Sequence, residues 1–162
     1  MMSGMAALWN KAYGLFERAT TALQPVVLLA ARLYWGWQLF ESGKGKFAHI
    51  DMVVDYFGSL GMPDPAVTAR LISGLEVVGG ILLFLGLASR PIALILTGNM
   101  IGAYWMGDRE AFLSLFSDPD KFQAAAPFTF LCVSVVVLAF GPGPLSLDGL
   151  ISRLLRKPEE NT

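Results

Sequence analysis

An acidic residue inside a long apolar run constrains this chain more than any other feature. Residues 71–90 read LISGLEVVGGILLFLGLASR, and Glu76 is the only carboxylate among them. An ionisable group at membrane depth is costly, faces the inside of a helix bundle, pairs with another charge and marks a functional site by default. The apolar run of residues 25–40 contains a single charged residue, Arg32. We therefore expect Arg32 and Glu76 to form a buried pair between two helices.

The composition indicates a membrane protein without redox groups of its own. Hydrophobic residues make up 54% of the 162 residues and charged residues 15%, whereas a soluble domain carries about 25% charged residues. The net charge of −1 lacks the basic excess typical of nucleic-acid-binding proteins. Cys132 and His49 are the only residues of their kinds, which excludes an internal disulfide, a CxxC pair, a bis-histidine haem and a Cys/His zinc site. We expect no intrinsic cofactor, no metal site and no nucleic-acid partner.

The spacing of apolar residues predicts an all-α, polytopic membrane protein with four transmembrane helices in an antiparallel bundle, flanked by amphipathic interfacial helices. The expected spans are residues 25–42, 66–88, 91–106 and 124–140. Pro25 suits the first turn of a helix, and Gly43 and Gly45 are expected to end the first span. The predicted divisions are an N-terminal amphipathic helix, a membrane domain and a C-terminal amphipathic tail, at residues 1–24, 25–142 and 143–162.

The distribution of cations predicts the orientation, because Lys and Arg in short segments concentrate on the cytoplasmic side of a membrane. One side of the predicted topology carries Lys11, Arg18, Arg90, Arg153, Arg156 and Lys157. The other side carries Lys44, Lys46, Arg109 and Lys121, in longer loops that also contain acids. We therefore expect a multi-pass protein of the bacterial inner membrane with both termini in the cytoplasm and the bilayer as its first partner.

Counting residues from the predicted cytoplasmic ends adds a third residue to the polar pair. At about 1.5 Å per residue, Arg32 lies about 12 Å deep, Glu76 about 18 Å and Asn99 about 14 Å. Gly36 on the first span and Gly80 beside Glu76 permit close approach of the two helices. The sequence thus predicts one polar layer that contains Arg32, Glu76 and Asn99.

A second group of polar residues is predicted near the outer surface. Glu41 and Arg70 reach similar depths and are expected to form an outer interface pair. Lys44, Lys46 and His49 occur next, in the first loop, and are candidates for contact with an anion or a lipid headgroup. Simple exposure to water is the alternative for His49.

The polar layer has two interpretations. A buried Arg–Glu pair can serve only to hold two helices in register. Alternatively, the layer lines a pocket that binds a small polar head, such as that of a quinone, or passes a proton. Asn99 belongs to the pocket in the second interpretation, and forms an interhelical hydrogen bond in the first.

Several motifs, taken in order, resemble the DoxX family of four-helix membrane proteins. They are Arg32 with Gly36, Gly43-Lys44, Gly61-Met62-Pro63, EVVGGILLFLGLASR from Glu76 to Arg90, and GPGPLSLD from Gly141 to Asp148. The resemblance covers about residues 25–150. It implies a four-helix bundle in the bacterial inner membrane. It also implies a link to oxidoreductase complexes, since some relatives are associated with thiosulfate:quinone or terminal-oxidase complexes and others with assemblies that manage thiol stress.

The resemblance does not extend to a catalytic mechanism. Related quinone-reducing bundles use cysteine pairs, and this sequence has a single cysteine. Arg32, Glu76 and Asp148 match positions of the family pattern, without an implied catalytic role.

These observations lead to two expectations about function. The first is a non-catalytic membrane subunit of an oxidoreductase complex, which contacts quinone or anchors another subunit while a cofactor on another chain carries the electrons. The second is a non-redox role, as a small-molecule permease or a structural accessory subunit, with a homo-oligomer as one form of assembly. A stand-alone enzyme is least favoured. The glycines of residues 74–86 lie in an apolar helix, whereas the glycines of a nucleotide-binding loop come directly after a strand.

Overall fold

The described part of the chain is entirely helical, which confirms the predicted all-α class. The computed structural model describes residues 2–155, with side chains from residue 9 onward, so Arg156 and Lys157 of the predicted tail lie outside the described residues. The helices in this part are α1 (Met2–Ala48), α2 (Ile50–Ser59), α3 (Pro65–Leu85), α4 (Ser89–Gly107), α5 (Arg109–Leu113), α6 (Pro119–Ala124), α7 (Phe128–Phe140) and α8 (Leu147–Leu155).

The C-terminal half of α1 packs antiparallel along α3 through glycines. A Cβ atom added at Gly36 would lie 2.7 Å from the backbone nitrogen of Phe84, and one added at Gly43 would lie 2.8 Å from the carbonyl oxygen of Ser73. A Cβ atom at Gly80 would likewise lie 2.7 Å from the carbonyl oxygen of Gly36. Small residues let helix backbones approach this closely in a membrane. The contacts at Gly36 and Gly43 therefore hold α1 and α3 in one register.

The helix ends expected for the first span are not observed, because α1 is one continuous helix of 47 residues, about 70 Å long. Pro25 lies inside this helix, so the N-terminal amphipathic segment and the first predicted span are continuous. Gly43 does not end the helix because it is buried against α3, where its missing side chain is needed for packing. The helices α3, α4 and α7 occupy the positions of the other predicted spans to within a few residues.

A tight turn joins α3 to α4 and makes them antiparallel neighbours. Asp64 caps the start of α3 by accepting a hydrogen bond from the Val67 amide at 3.2 Å. At the other end Gly86 adopts a left-handed conformation with φ of 68°, and the Leu87 amide donates to the Leu82 carbonyl at 3.0 Å. This is a Schellman-type ending, in which glycine is favoured. Beyond the turn, α4 packs mainly on α7, and α2 packs on α3.

An apolar core lies between α1, α3, α4 and α7. Its buried members are Leu39, Leu83, Ile92, Ala93, Leu96, Met100, Val133 and Val137. Large apolar side chains also point outward on each of these helices, for example Trp37, Val78, Leu94 and Phe140, which are 54%, 54%, 59% and 64% exposed. Outward apolar surface of this extent is typical of a protein that contacts lipid or other subunits.

Length and hydropathy, taken helix by helix, identify fewer membrane-spanning helices than the four that the sequence predicts. Within the described residues, α3 is the one helix that is both long and apolar enough to cross a bilayer by itself, and α7 is apolar but has 13 residues.

The Gly98-x-x-x-Gly102 pattern of α4 makes no close helix contact within the described part of the chain, because a Cβ atom at either glycine would meet nothing within 4 Å.

Two glycine-to-alanine substitutions test the α1–α3 contact. We expect Gly80→Ala to destabilise the fold by about 1–3 kcal/mol, because the added methyl group collides with the backbone of α1. Gly98→Ala is the matched control, since the position is open and alanine favours a helix over glycine by about 0.5–1 kcal/mol. Thermal unfolding in mild detergent measures both. Equal stability of the two variants would contradict the proposed packing.

Candidate functional site

Glu76 is buried, and its partner is Lys46. The Glu76 side chain is 4% exposed and forms a salt bridge with the Lys46 ammonium group. Ser42 Oγ donates a hydrogen bond to the second carboxylate oxygen of Glu76 at 3.0 Å. Lys46 and Ser42 lie one turn apart on α1 and therefore present both donors to the same side of α3. The carboxylate is held on both oxygens by α1.

The predicted pair between Arg32 and Glu76 is not formed. The contact between Gly36 and Gly80 places Arg32 opposite the end of α3, near residue 84, which is eight residues or about 12 Å along the axis from Glu76. An arginine side chain cannot cover this offset. Arg32 Nη2 instead donates to the backbone carbonyl of Leu145 at 2.6 Å. The depths counted from the sequence were wrong because they assumed where each helix begins and did not include the register between helices.

Arg32 belongs to a separate polar cluster, formed by the turn between α3 and α4 and the segment before α8. Asp148 accepts hydrogen bonds from the backbone amides of Ala88 and Ser89, each at 2.8 Å. The Asp148 amide in turn donates to the Gly86 carbonyl at 2.9 Å. Arg32 is 1% exposed and packs against Gly86. We call this end of the bundle the Asp148 end, and the end that carries α2 the α2 end.

The charge of Asp148 is stabilised at the Asp148 end. Burial by itself would raise the pKa of Asp148, but the amides of Ser89 and Ala88 and the positive charge of Arg32 together hold it below the usual value. The N-cap residue of α4 is Ala88, whose side chain cannot accept a hydrogen bond, and the Asp148 carboxylate accepts from the free amides in the way that an N-cap aspartate does. Asp148 thus caps α4 from a distant part of the chain, while Ser146 caps α8 through a hydrogen bond from the Gly149 amide at 3.0 Å.

The Lys46–Glu76 pair forms part of the wall of a cavity of about 550 Å³ at the α2 end. Polar groups in the wall come from Ser42, Lys46, His49, Tyr56, Glu76, Asn99 and Asp108. The apolar part includes Met52, Met62, Met100 and Met106, together with Phe57 and Phe130. A cavity of this size, mostly apolar with a few convergent polar groups, is typical of sites for small organic ligands.

A second, more open cavity of about 500 Å³ lies between α1 and α7. Its walls include Tyr34, Trp35, Gln38, Glu41 and Thr129. Ser42 and Phe130 line both cavities. The two spaces are therefore separated by these side chains, on a side of the bundle where α1 and α7 contact each other little.

The structure brings together some of the predicted site residues and separates others. Asn99, Lys46 and His49 line the same cavity as Glu76. The predicted Glu41–Arg70 pair is not formed, because Glu41 binds Lys44 at 2.9 Å one turn away on the same helix. Arg70 donates to the Ala66 carbonyl at 3.0 Å.

Lys46 is the residue of the candidate site whose pairing with Glu76 the sequence did not reveal. The predicted loop includes it because Gly43 and Gly45 are expected to end the helix. The spacing of Ser42 and Lys46 indicates a shared helix face, but only if the helix continues to Ala48, as it does. The spacing of the two residues is visible in the sequence, but Gly43 and Gly45 predict a helix end between them.

Comparison with known proteins shows the family of this chain. The family model described as DoxX matches residues 27–109, about half of the chain. The chain belongs to the DoxX family. The matched part contains α3, α4 and the half of α1 that packs on α3, and with them Lys46, Glu76 and Asn99.

Two relatives match this chain over most of their own length. The chain is 30% identical over 117 residues to the Bacillus subtilis protein named "Putative oxidoreductase CatD", which covers 63% of this chain and 86% of that protein. It is 30% identical over 135 residues to the Escherichia coli protein named "Inner membrane protein YphA", which covers 78% of this chain and 91% of that protein. No solved structure gives a significant match. Its membership of the DoxX family and its similarity to an inner membrane protein indicate that this chain is a membrane protein.

Substitutions at Lys46 and Lys44 test the buried pair. Lys46→Gln leaves the Glu76 carboxylate without its charged partner, and we expect a loss of about 2–4 kcal/mol in the free energy of unfolding. Lys44→Gln, in an exposed pair on the same helix, should change it by less than about 0.5–1 kcal/mol. The double variant Lys46→Gln/Glu76→Gln should recover part of the loss. If it recovers none in a denaturation assay, the two groups are not coupled.

The helix cap at the Asp148 end predicts a pH dependence of stability. Because the folded pKa of Asp148 is below its unfolded value of about 3.9, the stabilisation is complete above that pH and is lost as pH falls through the folded pKa. Asp148→Ala should lose about 1–2 kcal/mol at neutral pH and show a weaker acid dependence than wild type. Asp55→Ala, at an exposed position of α2, is the control. Parallel melting curves for Asp148→Ala and wild type at all pH values would contradict the assignment.

Proposed function

We propose that this DoxX protein is a four-span inner-membrane subunit of an oxidoreductase complex, quinone-linked or devoted to thiol stress, and that it binds the quinone head in the Glu76 cavity. The observation that carries the proposal is the Lys46–Glu76 pair in the wall of a mostly apolar cavity. The names of the two relatives, an oxidoreductase and an inner-membrane protein, support the class of complex and the location. The protein is an accessory subunit, and a cofactor on another chain supplies the electrons.

The chemistry of the cavity suits a quinone because the ligand combines a polar head with an apolar ring. Lys46 can donate a hydrogen bond to a quinone carbonyl oxygen, and the Glu76 carboxylate can accept the proton of a quinol hydroxyl group. Both groups are within hydrogen-bonding contact of each other, so a head bound to one is beside the other. Methionine and aromatic side chains of the same wall would contact the ring and its substituents.

The proposed topology places four helices across the bilayer, namely the second half of α1, α3, α4 and α7. Their outward apolar side chains support this topology. Arg18, Arg90 and Arg153 belong to the Asp148 end by their positions in the chain, and the preference of cations for the cytoplasmic side supports cytoplasmic termini. The Glu76 cavity then lies in the outer half of the membrane.

A permease is the weaker candidate. The apolar core members Leu39, Leu83 and Leu96 lie between the Glu76 cavity and the Arg32 cluster. Among the described residues the polar groups thus form two separate clusters, whereas a permease would need a polar path between them. An anchoring role without quinone contact is the alternative within the same complex, and it requires only the outward surface.

Direct binding of a quinone tests the proposal. We expect decylubiquinone to quench the tryptophan fluorescence of the protein in lipid nanodiscs, because Trp35 borders the second cavity, next to the first. Glu76→Gln and Lys46→Gln should each weaken binding about tenfold or more, which corresponds to one hydrogen bond of about 1.4 kcal/mol. Glu110→Gln is the matched control, because Glu110 of α5 forms an exposed salt bridge with Lys121 of α6, 2.8 Å away.

The outcomes separate the two roles within a complex. Loss of binding in both cavity variants with binding retained in Glu110→Gln supports a quinone site. If wild type does not bind decylubiquinone at all, the quinone site is wrong. Co-purification of a cofactor-bearing subunit in mild detergent would then support anchoring alone, and purification of this chain by itself would contradict both.

A further inference from the structure

The N-terminal part of α1 extends beyond the bundle without a partner. From Trp9 to Gln24, every described side chain except the small Gly14 is exposed. The exposed residues include Trp9, Leu15, Phe16 and Leu23, which are 70%, 71%, 65% and 59% exposed. At 1.5 Å per residue this segment is more than about 20 Å long. A stable helix with this much uncovered apolar surface requires a surface to cover it.

The two sides of this segment differ in chemistry. Ala12, Leu15, Phe16, Ala19 and Leu23 recur at the spacing of one helix face. Lys11, Glu17 and Arg18 lie away from that face, and the rings of Trp9 and Tyr13 stack with centroids 6.5 Å apart. An apolar face bordered by cations and by Trp and Tyr is typical of helices that lie at a membrane interface.

A second helix at the same end has the same pattern. In α8 the apolar residues occur at helical spacing, and all are exposed: Leu147, Leu150, Ile151, Leu154 and Leu155. Arg153 lies between them in sequence and is exposed. Asp148 attaches α8 to the turn between α3 and α4, and Gly143, just before it, lies close to Pro25 and Leu28 of α1. Both amphipathic helices therefore leave the bundle at the Asp148 end.

We propose that the N-terminal segment of α1 and α8 lie together on an anionic bilayer surface, with α1 bent at Pro25. Continuity supports the bilayer as the occupant, because the same helix presents Val26 and Val27, 56% and 62% exposed, at the start of the part that crosses the bilayer in the proposed topology. Charge supports it as well. Lys11, Arg18 and Arg153 outnumber the acids of the two helices, Glu17 and Asp148, and Asp148 is engaged by the amides of Ala88 and Ser89. Cations near a membrane are attracted by anionic lipid headgroups.

Pro25 makes the bend feasible. Proline has no backbone N–H to donate to the carbonyl of the residue four positions earlier, Thr21, and its ring crowds that carbonyl. Sharp bends in helices occur mostly at such positions. The proline also lies beside Gly143 at the edge of the bundle, where the chain would pass from the membrane interior to its surface.

Accessibility of spin labels tests the proposal in the intact protein. On a Cys132→Ser background, which removes the only cysteine, nitroxides are attached at Phe16→Cys and Glu17→Cys, and at Leu154→Cys and Arg153→Cys. All four native side chains are exposed, so the labels should not disturb the fold. The protein is placed in vesicles of phosphatidylethanolamine and phosphatidylglycerol. We expect labels 16 and 154 to be reached by dissolved oxygen and shielded from a water-soluble nickel chelate, and labels 17 and 153 to show the reverse.

Other outcomes would overturn the proposal. If the nickel chelate reaches all four labels equally, both helices project into water. If labels 16 and 154 are shielded from both reagents and show dipolar coupling between copies of the chain, the apolar faces pair with a second copy. Pro25→Ala should raise nickel access at label 16 severalfold and leave label 154 unchanged, and vesicles of phosphatidylcholine alone should lower the oxygen access of both.

Discussion

The close contact between Gly36 of α1 and Gly80 of α3 fixes the arrangement of the other polar and apolar contacts in this protein. The two backbones approach until a single methyl group would collide. In a membrane, where apolar side chains gain little by leaving lipid, close backbone packing is one of the few forces that holds helices together. A second contact at Gly43, seven residues along α1, repeats the constraint and prevents the helices from sliding.

This register decides the partners of both buried charged residues. It sets Lys46 and Ser42 against Glu76, and it sets Arg32 against the turn at the end of α3. A charge at membrane depth without a partner costs at least about 2.5 kcal/mol. Each of the two buried ions is accordingly paired with donors or acceptors at its own position along the helix axis. For Glu76 these are an ammonium group and a hydroxyl group. For Arg32 they are a backbone carbonyl and the more distant charge of Asp148.

The two polar clusters have different surroundings, which suggests different roles. The Arg32 cluster is closed, with Arg32 and Ser89 fully buried, and it ties three segments of the chain together at the Asp148 end. The Glu76 cluster lines an open space of about 550 Å³ that contains further hydrogen-bonding groups. A closed cluster contributes to stability, whereas an open one can bind a ligand. This difference, more than the presence of a buried acid, supports a functional role for Glu76 and a structural role for Arg32.

The sequence by itself determined the helical class, the positions of α3, α4 and α7, close packing at Gly36 and Gly80, and Glu76 and Asn99 as residues of interest. Each of these depends on apolar spacing or on residue type within a short stretch, which a sequence shows directly. Only the tertiary structure decided that Lys46 pairs with Glu76, that Asp148 caps α4, and that α1 continues through Pro25 and Gly43. These features depend on which residues of two distant helices lie opposite each other. That register is set where the backbones approach so closely that an added Cβ atom would lie about 3 Å from the facing helix, and the periodicity of a single helix does not encode it.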